Sequence, residues 1–356
     1  MPADTRFTAL LAAAWQRRGL LAWILSPLAL VYAAVMAVRR RAYAGGMLRT
    51  TRVAVPVVVI GNLYVGGTGK TPLTIELVRA LRQRGFDPGV VSRGYGGTGP
   101  AARMVGAGDA ADAVGDEPQL IAGTAAVAVA VAARRAEAAE LMLRVHPACD
   151  VLLADDGLQH LALARDIEIA LVDERGLGNG WVLPAGPLRE APARLDGVDA
   201  IVLHGAAQPP TRAVPCFRMQ TRLADHACRL SDPGQRIALL ELVRRQRADG
   251  LAITAAAGIG VPQRFFDMLG DVGLRVDPLP LPDHFDFRVN PFDGRSADLL
   301  LITEKDAVKC RRIDTLCADP RIWVVPLEAS VDAALVDLVV ARLNLLRKAP
   351  HGSSAA

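Results

Sequence analysis

The stretch Val53-Ala-Val-Pro-Val-Val-Val-Ile60, Gly61-Asn-Leu-Tyr-Val-Gly-Gly-Thr-Gly69, Lys70-Thr-Pro-Leu-Thr-Ile-Glu-Leu-Val-Arg-Ala-Leu81 decides the fold. Its apolar, β-branched opening predicts a buried strand over 53–60. Leu73, Leu77, Val78 and Leu81 share one helical face, which predicts a helix over 71–84 with Gly85 as its stop. Further strand-like runs follow at 88–92, 151–154, 167–172 and 200–204, and a long Ala-rich helix is expected from the Gly115-Asp-Glu117 turn to about residue 144. Strands alternating with helices indicate an α/β protein with a mainly parallel sheet. After Pro209 the pattern loosens into a connector reaching Pro233. A second α/β pattern then starts at 251–256, continues through a helix near 262–269 and strands at 299–303 and 322–325, and ends in a helix near 331–346.

Between strand and helix, Gly66-Gly-Thr-Gly-Lys-Thr71 resembles the Walker A loop of P-loop NTPases. Small residues let successive backbone N–H groups wrap phosphates at a helix N-terminus, Lys70 neutralises the terminal phosphates, and the Thr71 hydroxyl suits Mg2+. The strict spacing wants glycine at position 64, where Tyr64 stands, and Gly66 and Gly67 supply flexibility instead. Only four of 41 basic residues are lysines, so a lysine kept here favours the phosphate reading over an idle glycine turn.

The chain of 356 residues is 51% hydrophobic, which argues against disorder. Its five scattered cysteines form no C-x-x-C pair, which argues against a disulfide scaffold or a cysteine-rich zinc site. The net charge of +4 is unevenly spread. Residues 1–52 carry +7, and the other 304 carry −3. Gly19 to Val38 are uncharged and flanked by arginines, with Trp23 and Tyr32 as amphipathic rings and Pro27 as a kink. As a helix, 20 residues span roughly 30 Å, the hydrocarbon thickness of a bilayer. A membrane anchor, a buried helix and a signal peptide ending near Ala42-Tyr-Ala44 all fit that run; three arginines directly after it disfavour the last. The arginine excess on its C-terminal side places the body in the cytoplasm. An acidic body argues against nucleic-acid binding.

Several groups beyond the loop carry chemistry. Asp155-Asp156 at the end of an apolar strand suit a metal, or are two solvated turn aspartates. Asp116, just before the expected long helix, reads as a helix cap unless a further role is found for it. His284 reads as a lone structural histidine. Pro187-Leu-Arg-Glu190 offers a guanidinium and a carboxylate, or an ordinary loop ion pair. Arg93-Gly-Tyr95 offers an anion contact with an aromatic wall, or a flexible turn.

In order and spacing, Ile60-Gly-Asn…Gly-Lys-Thr-Pro72, Ser92-Arg-Gly-Tyr95, Gly115-Asp-Glu-Pro118, Asp155-Asp-Gly-Leu-Gln-His160, Pro187-Leu-Arg-Glu190, Ala257-Gly-Ile-Gly260, Asp283-His-Phe285 and Thr303-Glu-Lys-Asp-Ala-Val-Lys309 together resemble the tetraacyldisaccharide 4′-kinase family over about residues 10 to 345. That resemblance implies ATP- and Mg2+-dependent phosphorylation of the 4′-hydroxyl of a tetraacylated glucosamine disaccharide 1-phosphate at the cytoplasmic face of the inner membrane. The lipid and the anionic membrane surface are the expected partners, with no obligate protein partner. The implied architecture is a membrane-associated helix (1–45), a P-loop α/β/α kinase domain (46–209), a β linker (210–235), a smaller α/β domain (236–348) and a disordered tail (349–356), with the active site in the cleft. The resemblance assigns Gly66, Gly67, Thr68, Gly69, Lys70 and Thr71 to the nucleotide, Lys70 also to catalysis, and Thr71, Asp155, Asp156 and Glu190 to the metal. It pairs His284 as proton acceptor with Asp116, and implies Arg93, Tyr95, Gln159, His160 and Arg189 as substrate-side residues. A P-loop switch or partitioning ATPase is the competing class, but no lysine precedes Gly66 nearby. A nonenzymatic nucleotide-binding module would not need Asp116, the paired aspartates and His284 together.

Overall fold

The computed structural model describes residues 14–94, 101–106, 109 and 111–348. Tyr95 and the expected disordered tail fall outside these. In chain order the main elements begin with α1 (Leu20–Ala44), β1 (Val57–Asn62), α2 (Lys70–Gln83), β2 (Pro88–Ser92), β3 (Arg103–Met104), α3 (Asp116–Ala125), β4 (Val129–Val131), α4 (Arg135–Val145), β5 (Val151–Ala154), β6 (Ile167–Val172) and β7 (Ala200–His204). They continue with β8 (Cys216–Leu223), β9 (His226–Arg229), β10 (Arg236–Ala238), α5 (Leu239–Asp249), β11 (Ile253–Ala257), α6 (Pro262–Val272), β12 (Asp277–Pro280), β13 (Leu299–Thr303), α7 (Glu304–Cys310), β14 (Ile322–Val325), β15 (Leu327–Val331) and α8 (Ala333–Lys348).

Nine strands form one sheet in the order β15-β8-β7-β6-β1-β5-β2-β4-β3, and six form a second in the order β10-β9-β14-β13-β11-β12. The run from β8 to β4 in the large sheet is parallel, with antiparallel β15 and β3 at its edges. Strand β1 is central and buried at every position, because Val57, Val58, Val59 and Ile60 face apolar layers on both sides of the sheet. Its C-terminal end therefore opens where ligands bind in such sheets. The strand begins at Val57, later than the expected 53, since Pro56 has no N–H to donate, and it extends through Gly61 and Asn62.

Other expectations were revised. The long helix after Gly115 is two helices, α3 and α4, separated by β4. Ala126 ends α3 in a left-handed conformation (φ 48°). Val129–Val131 is then buried beside β2, so sheet burial overrides the helical propensity of the alanine-rich tract. The 210–235 connector holds two real strands, β8 in the large sheet and β9 in the small one. The chain also comes back: β15 pairs with β8, and Leu335, Val336, Val339 and Leu343 of α8 join the core of the large sheet. The smaller unit thus hangs from the larger by two neighbouring crossings, with the Ala224 N–H donating to the Pro326 carbonyl at 2.9 Å between them.

Helix α1 is long and apolar enough to cross a membrane by length and composition. Leu20, Ile24, Leu28, Val31, Val35 and Val38 make an exposed stripe at helical spacing, whereas Ala22 and Ala29 are its buried residues. The small-residue side packs on the body: the Tyr32 hydroxyl donates to the Arg189 carbonyl at 3.0 Å, and Trp23 meets Trp181 edge-to-face at 4.9 Å. A helix buried in a soluble core would not leave that stripe in solvent.

Two outcomes follow. Deleting residues 1–40 should weaken partition into anionic vesicles while fluorescent-nucleotide binding survives, because the P-loop lies on the central strand. A Cβ on Gly61 would sit 2.6 Å from Leu158 Cβ and 2.9 Å from its backbone nitrogen. Gly61→Ala should therefore cost about 1–3 kcal/mol, read as a lower urea midpoint with an unchanged m-value.

Candidate active site

The loop from Leu63 to Gly69 turns on two left-handed glycines, Gly66 (φ 98°) and Gly69 (φ 101°). Tyr64 precedes that turn. Its buried ring packs beneath Arg175, whose guanidinium lies 4.3 Å from the ring centroid, so glycine is not required there. His204, at the end of β7, faces the Thr68 carbonyl through Nδ1 at 2.8 Å and Thr221 Oγ1 through Nε2 at 3.0 Å. An added Cβ on Gly69 would lie 2.8 Å from that ring. Sequence reading passed over His204, which no motif marks. Thr68 Oγ1 is buried without a hydrogen-bond partner, as a hydroxyl awaiting a phosphate oxygen would be.

Lys70 Nζ donates to Asn62 Oδ1 at 3.1 Å and lies 3.5 Å from Asp156 Oδ1. Asp155 and Asp156 occupy the turn after β5, which the Gly157 N–H pins to the Ile60 carbonyl at 2.9 Å. Asp156 Oδ1 accepts from Arg189 at 3.0 Å. Burial alone would raise the Asp156 pKa, but Lys70 and Arg189 outweigh it and hold the carboxyl below its usual range. Asp155 differs. It is fully buried, Thr74 donates to Oδ1 at 2.9 Å, and Oδ2 has no partner. Burial, then Glu117, then Asp156 push its pKa up to about 7. Arg135 donates to the carbonyls of both aspartates rather than to their carboxylates.

An orphaned carboxylate oxygen crowded by two further carboxylates fits a divalent cation, with Asp155, Asp156 and the Thr71 hydroxyl as the residues to hold Mg2+. Of the expected third acid, Glu190, one oxygen accepts from Gln159 Nε2 at 3.1 Å, and Arg194 lies 3.8 Å from the other. Among the described residues no three His, Cys, Asp or Glu side chains surround one point. The further acid whose charge reaches Asp155 is Glu117, which lines the P-loop cavity and which the sequence reading left unassigned.

Asp116 does not cap a helix. Gly115 holds the N-cap position of α3, and the Asp116 carboxylate reaches across to the smaller unit. There Oδ2 lies 3.1 Å from His284 Nδ1 and 2.8 Å from Lys309 Nζ. Burial would raise its pKa, but hydrogen bonds from His284 and Lys309 prevail and lower it. His284 sits at φ 59° after β12, with its N–H bonded to the Asp283 carboxylate at 3.0 Å. Lys309 also donates to the Phe285 carbonyl at 2.9 Å, and Lys305 Nζ lies 3.5 Å from His284 Nε2. Neither lysine was assigned a role from sequence, yet lysine scarcity, which singled out Lys70, marks both.

Of the substrate-side candidates, Arg189 and Gln159 lie together by Asp156, their groups 3.5 Å apart. His160 is driven down to about 3 by burial and by Arg135, Arg93 and Arg39, so its ring is neutral near pH 7. Arg93 is exposed at the end of β2. Arg39 belongs to α1, so the apolar helix delivers charge to the edge of the site. The P-loop cavity, about 230 Å³, is lined also by Ile259, Gly260, Phe265 and Lys305 of the smaller unit.

A phosphate loop, an acidic cation site and a base pair drawn from facing α/β units define a P-loop phosphotransferase. Residues 21–344 match the family model described as tetraacyldisaccharide-1-P 4′-kinase. The chain is 49% identical to a tetraacyldisaccharide 4′-kinase of Janthinobacterium over 93% of its length and 94% of that protein's. It is 48% identical to one from Herminiimonas arsenicoxydans at the same coverage. Its fold is similar to that of LpxK from Aquifex aeolicus in complex with ATP, with a TM-score of 0.76 and 26% identity over 91% of this chain and 100% of that one. The chain belongs to the tetraacyldisaccharide-1-P 4′-kinase family.

Because protons compete with the cation at Asp155, Mg2+-nucleotide affinity should climb as pH rises through about 7. Calorimetric titration of wild type and Asp155→Asn checks this, the slope flattening in the variant.

Proposed function

We infer that this protein is an ATP-dependent lipid kinase that phosphorylates the 4′-hydroxyl of tetraacyldisaccharide 1-phosphate, a lipid A precursor, to the 1,4′-bisphosphate. Family membership supports the activity, and the observation that carries the mechanism is the 3.1 Å approach of His284 to Asp116 beside the P-loop cavity. Asp116, ionised and anchored by Lys309, holds the imidazole with its proton on Nδ1 and directs Nε2 outward. Nε2 takes the 4′-hydroxyl proton as the sugar oxygen bonds to the γ-phosphorus; the β,γ-bridging P–O bond breaks and ADP departs with its electron pair. The P-loop N–H groups and Lys70 hold the phosphates. Asp155, Asp156 and the Thr71 hydroxyl would hold Mg2+, which would supply charge neutralisation to the phosphates.

The exposed stripe of α1 and its arginine collar support an anchor in an anionic membrane, with the catalytic body on the cytoplasmic face. The Tyr32–Arg189 hydrogen bond supports a path from that surface to the site, by which a lipid headgroup reaches the base without leaving the bilayer.

Radiolabelled ATP should transfer its γ-phosphate to the disaccharide lipid in detergent micelles; rapid ATP hydrolysis without acceptor and without lipid labelling rejects the reading. Asp116→Ala and His284→Ala should each lower kcat by roughly 10²-fold or more, and the double variant should be little worse, since both act through one proton acceptor. Additive losses in steady-state kinetics would separate them.

A further inference from the structure

We propose that Lys305 is a second phosphoryl-contacting cation: it caps His284 Nε2 before nucleotide binds, and leaves it for the γ-phosphate when nucleotide arrives. This rests on the kinase reading above and goes beyond it by making the nucleotide itself release the base.

The two lysines of the smaller unit are held very differently. Lys309 makes short contacts, 2.8 Å to Asp116 and 2.9 Å to the Phe285 carbonyl. The Lys305 contacts are long: 3.4 Å to Asp283 Oδ1 and 3.5 Å to His284 Nε2. A charge-assisted N–H to carboxylate bond settles at about 2.7–2.9 Å, so this ammonium is loosely tethered. With Asp116 on the Nδ1 side, the Nε2 lone pair is the one that must receive the substrate proton, and Lys305 stands beside it. The resting arrangement therefore obstructs the base.

Lys305 also lines the P-loop cavity together with Lys70. Of the four lysines and arginines lining it, Lys70 is tied to Asn62 and Asp156, Arg79 donates to the Thr124 carbonyl, and Arg264 pairs with Glu174. Lys305 has the weakest ties. Its platform, by contrast, is rigid. Asp306 accepts from the Gly258 N–H at 3.0 Å and from Thr303 Oγ1 at 2.7 Å, locking the start of α7 to the glycine loop. That loop abuts the phosphates' cradle, since a Cβ on Gly260 would lie 4.0 Å from the Gly67 nitrogen. A fixed backbone with a four-carbon stem lets the ammonium swing without moving the fold. The γ-phosphate would draw it off, freeing Nε2 as charge builds on the transferring group.

The test uses the full-length protein with Lys305→Met and Lys305→Arg, each first checked for wild-type melting. Lys305→Met should lower kcat for lipid phosphorylation by about 10²-fold with a smaller change in the ATP KM, and Lys305→Arg should retain more activity. In ring-15N-histidine-labelled protein, Mg2+ and a non-hydrolysable ATP analogue should shift the His284 Nε2 signal of the wild type. In Lys305→Met that signal should start displaced and barely respond. Wild-type kcat in Lys305→Met, or a His284 Nε2 signal unaffected by both nucleotide and substitution, overturns the proposal. Lipid labelling by the wild type is scored separately: its failure sinks the kinase reading, whereas its success with an indifferent Lys305→Met sinks only this inference.

Discussion

Asp155 is a fully buried carboxylate with one satisfied oxygen and one bare one. Burying such a group costs several kcal/mol unless charge or hydrogen bonds compensate, and here Thr74 compensates one oxygen only. What surrounds it is arranged for a cation and a polyphosphate. Strand β1 delivers the P-loop beside it, α2 contributes Thr74, and the turn after β5 adds Asp156. Lys70 and Arg189 go to Asp156, which leaves the second oxygen of Asp155 unpaired. The large sheet is the frame that holds these groups together against their mutual repulsion.

The second constraint is that His284 and Asp116, the pair proposed as proton acceptor and orienting carboxylate, come from different units. Asp116 starts α3 on the large sheet, whereas His284, Lys305 and Lys309 ride on the small one. Arg264 of α6 pairs with Glu174 after β6 and so adds a further bridge. With two adjacent strand crossings as the connection, movement between the units would make or break the His284–Asp116 contact, so base assembly and domain approach are linked mechanically.

Much of this was legible in one dimension. The strand–glycine loop–helix of 53–84 survives with small shifts at its ends, and β2, β5, β6 and β7 lie where apolar β-branched runs put them. The alanine tract after Gly115 misled because alanine favours helices in isolation, while its short valine alternation is decided by a vacant place beside β2. Glu190 was placed only by resemblance; in the fold it accepts from Gln159, itself beside Arg189, and lies 3.8 Å from Arg194, contacts that no local spacing announces.

By itself, the sequence determined the α/β class, the phosphate loop, the apolar front helix and, through its resemblance, the kinase family, because these depend on local periodicity and short spacing. Only the tertiary structure decided that the charge of Glu117 reaches Asp155, that β15 and α8 return to the large sheet, and that two of the chain's four lysines converge on the His284–Asp116 pair. Those facts join residues from about twenty to almost two hundred positions apart, and no local pattern encodes which charges will be buried side by side. Burial sets the strength of each charge's field, and burial exists only once the sheets have packed.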